Sequence, residues 1–88
     1  MAQIYRTTRP VNYRQLWRVL DSSSAEPAAM LLRVAPLPAM VFGDAESKLD
    51  AVAAEDRGLL KHVGGTRFQL TEKGVLEALK REELRPNN

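Results

Sequence analysis

The sequence predicts a small α+β domain, mainly helical, with three or four helices and one two-stranded β-hairpin. Three observations lead there. Apolar residues recur at helical spacing around residues 13–20, 28–35 and 49–53. Two short strand-like runs, 59–63 and 66–70, flank Gly64-Gly65, a pair that permits the positive φ angles of a tight hairpin turn. A chain of 88 residues with 44% hydrophobic and 27% charged side chains can bury one core without metal or disulfide, and its composition argues against wholesale disorder.

Residues 1–10 read as an arm, because they show no period and Pro10 disfavours helix at Arg9. A single domain is expected over 11–84, followed by a polar tail at 85–88. The first helix should start at Asn12, which stands three residues before Gln15 at the spacing of a capping box. Tyr13, Leu16, Trp17 and Leu20 then form one apolar stripe, with Arg14 and Arg18 opposite. Asp21 to Ser24 is a linker, and Ser24 is the expected cap of a second helix over 25–34, with Pro27 in its first turn and Ala28, Leu31, Leu32 and Ala35 inward. Pro36 and Pro38 end that helix. Met40, Val41 and Phe42 fit a short strand, a helical turn or an apolar plug equally. A third helix is expected from Ala45 to Arg57, capped by Asp44 or Ser47, with Leu49, Val52 and Ala53 inward.

Gly58 can close the third helix in the left-handed conformation. A two-residue loop would place Lys61 opposite Phe68. A three-residue loop with a glycine bulge places His62 opposite Phe68 and Leu60 opposite Leu70; this keeps more apolar area on one face and is preferred. Thr71 should cap a fourth helix from Glu72 to Leu84, with Val75, Leu76 and Leu79 inward. Gly74 in its first turn would let that helix lie close to a neighbouring backbone. The expected core is Leu16, Trp17, Leu32, Leu49, Val52, Phe68, Leu70, Val75 and Leu79.

The stretch Gly58-Leu59-Leu60, hairpin, Leu70-Thr71-Glu72-Lys73-Gly74 resembles the wing and closing helix of winged helix-turn-helix domains, over about a quarter of the chain. The resemblance implies a winged-helix fold in which the third helix corresponds to the recognition helix. It also implies a binding module, commonly a transcriptional regulator that acts as a dimer. Met40 to Phe42 or the fourth helix could supply the dimer interface.

Catalytic patterns are not evident. The chain has no cysteine, which removes thiol nucleophiles and thiolate metal sites. His62, the single histidine, has no marked partner for a metal site or a proton relay and reads as an ordinary strand residue. Glu55-Asp56 and Glu82-Glu83 are adjacent pairs that diverge around a helix, and the glycines form no phosphate-cradling motif. A non-enzyme without metal or cofactor is expected. The N-terminal stretch lacks a signal-peptide core and the run 28–42 is broken by Arg33, Pro36 and Pro38, so a soluble cytoplasmic protein with no membrane partner is expected.

The net charge of +2 is unevenly spread: +4 over residues 1–20, −5 over 21–56 and +3 over 57–88. Two functions fit that layout. In one, duplex DNA is contacted by Arg6 and Arg9 of the arm, Lys48 of the third helix, Arg67 of the wing, and Arg57 and Lys61 beside it. In the other, a protein-interaction module presents the acidic third helix, through Glu46, Asp50, Glu55 and Asp56, to a basic protein partner. The frequency of regulators among winged-helix domains favours the first. The acidic helix, the short wing and the long 36–43 connection favour the second.

Overall fold

The structure, a computed structural model, describes residues 7–86. Helix α1 (Tyr13–Asp21) starts where the Asn12 side chain accepts from the Gln15 amide. The return half of the capping box is not made. Gln15 is buried instead, and its Nε2 donates to the Ser47 carbonyl at 2.9 Å, tying α1 to the first turn of α3 (Ala45–Asp56). Leu16, Trp17, Val19 and Leu20 form the inward side of α1.

Helix α2 (Pro27–Leu31) is shorter than the expected 25–34. It begins at Pro27, where a missing N–H is harmless, with Glu26 rather than Ser24 at the cap position and no side-chain cap bond. It stops because Arg33 takes a left-handed backbone, φ 62°. The turn throws Leu32 outward, 74% exposed, so Leu32 is not core; Met30 takes that place at 1%.

The connection after α2 forms a strand, β1 (Ala39–Val41), which corrects the two-stranded hairpin to a three-stranded antiparallel sheet of order β1-β3-β2. Strands β2 (Leu60–Gly64) and β3 (Arg67–Leu70) pair in the preferred register, Leu60 with Leu70 and His62 with Phe68, and the irregularity falls between His62 and Gly64. Phe42, just past β1, is buried and meets the Phe68 ring at 5.8 Å.

Asp44, not Ser47, caps α3 by accepting from the Ser47 amide at 3.0 Å. Its inward side is alanine: Ala51, Ala53 and Ala54 are buried, whereas Leu49 is 52% exposed and Val52 only half-buried. Small side chains let the helix lie close to β2, and the larger Leu49 turns to solvent. Helix α4 (Glu72–Leu79) is capped by Thr71 and ends five residues earlier than expected. Arg81 leaves helical backbone at φ −124°, ψ 52°, its carbonyl accepts from Trp17 Nε1 at 3.0 Å, and a 3₁₀ turn follows at Glu82–Leu84. Val75 and Ala78 face in and Leu79 packs partly against the core, but Leu76 is 48% exposed. Over the described residues the fold is α+β, with four α-helices and one three-stranded sheet.

Two carboxylates make the fold sensitive to acid. The Ser47 amide holds the Asp44 carboxyl below its ordinary range, and Lys80 and then Arg81 do the same for Glu77. A depressed folded pKa adds stability above the unfolded value that is lost as pH falls through the folded one. The melting temperature should therefore drop as the solution is acidified below about pH 4, and Asp44→Asn should flatten part of that decline in a series of thermal melts.

Candidate nucleic-acid interface

Alternation along the strands assigns the two faces of the sheet. Leu60, Phe68 and Leu70 point into the core. The opposite face carries Lys61 paired with Gln69, Gln69 paired with Ala39, and Arg67 paired with Val41. None of these five residues is buried, and none is acidic. Lys61 and Arg67 are diagonal neighbours there, a relation that sets Cα atoms about 7–8 Å apart in antiparallel pairs. Both are exposed, and neither has an ion-pair partner among the described residues.

Hydrogen bonds tie the face to the run before β1 and close the hairpin at its tip. Gln69 Nε2 donates to the Leu37 carbonyl at 3.1 Å, which fixes the run leading into β1. At the hairpin tip, Gly64 and Gly65 both take positive φ, 131° and 54°. The His62 ring packs on Phe68 at 5.0 Å, and its Nε2 lies 2.6 Å from the Gly65 carbonyl oxygen, so Nε2 carries the proton and donates. His62 thus braces the turn that presents Arg67, a role that its isolation in the sequence does not announce. Val41 was also not legible as a neighbour of Arg67, because the third strand was not.

The remaining expected residues are scattered. Arg9 is fastened to α3: its Nε meets Asp50 at 2.7 Å and its Nη2 meets Glu46 at 2.6 Å. The bond to Asp50, and then that to Glu46, raises the guanidinium pKa further. Asn12 Nδ2 donates to the second Asp50 oxygen at 3.0 Å and holds the carboxylate in place. A residue expected to meet DNA and two expected to meet a basic protein therefore meet each other. Arg57 closes the end of α3 by donating to the Ala53 carbonyl at 2.8 Å. Glu55 and Asp56 are half-buried and also engaged. Lys48 is exposed on α3. Arg6 lies outside the described residues.

Among the described residues no group of three or more histidine or acidic side chains could hold a metal ion, and no helix is long and apolar enough to cross a membrane. Comparison with protein-family models, curated proteins and solved structures finds no match.

Proposed function

We propose that this chain is a small DNA-binding protein of winged-helix type, holding duplex phosphates with the outer face of its sheet rather than with α3. The observation that carries the proposal is that Lys61 and Arg67 stand as diagonal neighbours, both exposed, on a sheet face with no acid among its strand positions. Phosphate contacts of this kind position a protein on the duplex and do not read sequence. The resemblance of the Gly58–Gly74 stretch to winged-helix domains supports a regulatory role in transcription.

Helix α3 is unsuited to enter a groove between two phosphate backbones, since Glu46, Asp50, Glu55 and Asp56 lie along it with only Lys48 in opposition. Arg9 has a different part in this reading: it lowers the negative charge that α3 shows to DNA and does not itself touch phosphate. Its engagement with Glu46 and Asp50 also leaves less of the acidic face for a basic protein, which weighs against the protein-interaction reading.

The test is binding to a mixed-sequence duplex, followed by fluorescence anisotropy across a salt series. Two contacts give a log–log salt slope of about −2 and a non-specific dissociation constant near roughly 10⁻⁴ M at physiological salt. Arg67→Ala and Lys61→Ala should each reduce the slope by about one. Arg9→Ala should weaken binding by exposing two carboxylates and leave the slope unchanged, whereas a direct phosphate contact would lower it. If the unmodified protein fails to bind duplex even at low salt, the proposal falls; capture of a polyarginine peptide that Asp50→Asn abolishes would then identify α3 as the interface.

A further inference from the structure

We infer that the free edge of β1 is a docking site for an extended acidic segment of a partner protein, which joins the sheet as a further strand through the backbone groups of Ala39 and Val41. The register shows why these groups are open. Ala39, Met40 and Val41 face Gln69, Phe68 and Arg67 on β3. The flanking bonds run from the Leu70 amide to the Pro38 carbonyl and from the Phe42 amide to the Thr66 carbonyl, each at 2.8 Å. In an antiparallel ladder, hydrogen-bonded pairs alternate with pairs whose backbone groups point away from each other. Pro38, Met40 and Phe42 therefore turn their backbone groups to β3, and the N–H and C=O of Ala39 and Val41 point out from the edge of the sheet.

Among the described residues no hydrogen bond reaches those groups. Helix α3 packs on β2 and α1 on β3, which leaves β1 as the outer strand. Natural sheets guard such an edge with charged side chains, bulges or proline. Strand β1 has no charge and pairs without a bulge, and the missing N–H of Pro38 would face β3, so it removes nothing from the open row. Just before the strand the Leu37 carbonyl is taken by Gln69 Nε2 at 3.1 Å, so the open row begins at Ala39.

The side chains beside the edge set the chemistry of the segment. On the outer face Val41 is 58% exposed and stands opposite Arg67, which is exposed and has no ion-pair partner among the described residues. An added strand lies about 9–10 Å from β3, a gap that an arginine and a glutamate side chain span together. On the inner face Met40 is only partly buried against the core, so the alternate residues of the segment meet an apolar side chain. The fitting sequence alternates acidic and apolar residues, held by its main chain and selected by those side chains. Arg67 is shared with the duplex contact proposed above, but the backbone bonds of Ala39 and Val41 involve no phosphate, so the two readings fail separately.

The probe is a capped peptide of alternating valine and glutamate, titrated into the intact chain while amide hydrogen exchange is followed residue by residue by NMR. In the free protein the Ala39 and Val41 amides should exchange at least about tenfold faster than the paired Met40 amide. The peptide should slow both by at least about tenfold, with a dissociation constant on the order of 100 μM. Val41→Pro deletes one outward N–H and spares the ladder to β3; it should weaken binding about tenfold. Arg67→Ala, at an exposed strand position, should weaken it by a similar factor, and Arg67→Lys should restore most of the loss. A valine–lysine peptide should not bind. Ala39 and Val41 amides as slow as that of Met40 in the free chain, a glutamate peptide that leaves them fast, or a lysine peptide that binds equally well would each overturn the inference. So would protection that rises with protein concentration alone, since a second copy would then hold the edge.

Discussion

Trp17→Ala is expected to remove about 3–5 kcal/mol of stability, a large share of what a domain of this size has. Trp17 is the largest fully buried side chain, 1% exposed, and sits on α1 where that helix meets the end of α4. Its indole N–H donates to the Arg81 carbonyl at the point where α4 stops, and the Arg85 guanidinium lies 5.1 Å above its ring. Arg85 in turn pairs with Asp21 at the end of α1. Truncation therefore opens a cavity, orphans a carbonyl and loosens the last turn together. Thermal melts followed by circular dichroism should show a fall of at least about 12 °C. Trp17→Phe keeps most of the apolar area and should lose roughly 1–2 kcal/mol, largely from the unmet Arg81 carbonyl. A melting temperature untouched by Trp17→Ala would remove Trp17 from the core.

What the sequence made legible followed from strong local signals. The stripe on α1 repeats over two turns behind a capping asparagine, and the hairpin register was decided by which pairing kept Leu60, Leu70 and Phe68 together. Thr71 and Gly74 were readable because a cap and a glycine inside a first turn each have few explanations. The middle of the chain offered no such signal. Helix α2 has one turn and a half, and its end depends on a left-handed arginine that no local pattern marks. Strand β1 has three residues, too few to show alternation, and its pairing with β3 is set across 26–30 residues of sequence. On α3 the inward residues are alanines, which a search for apolar stripes passes over in favour of Leu49.

The candidate site was legible in its residues and not in its arrangement. Lys61 and Arg67 share a face with Gln69 in the register that the hairpin residues favour, but that Val41 and Ala39 of β1 extend this face follows from a strand order the sequence did not display. The contact of Arg9 with Asp50 joins residues 41 apart. Charge segregation, basic in the first 20 residues and acidic in the next 36, was its only trace.

Gly74→Ala should destabilise the protein by about 2–3 kcal/mol, although alanine is the better helix former by about 1 kcal/mol. A Cβ at this position would land on the Leu59 carbonyl oxygen and lie 2.8 Å from Leu70 Cδ1. Neither neighbour can give way easily. The Leu59 carbonyl already accepts from the Thr71 amide at 3.1 Å, the Thr71 hydroxyl donates to the adjoining Gly58 carbonyl at 2.6 Å, and Leu70 is 1% exposed in the core. The first turn of α4 would have to lift from the start of β2, and the cap at Thr71, which accepts from the Gly74 amide at 3.0 Å, would lift with it. Gly43 supplies the control, because a Cβ there meets nothing within 4 Å. In urea titrations the midpoint for Gly43→Ala should stay within error of the unmodified protein, while that for Gly74→Ala falls with the slope unchanged. A Gly74→Ala protein as stable as the unmodified chain would mean that α4 does not sit against the Leu59 backbone, and the seating of the helix that follows β3 would have to be redrawn.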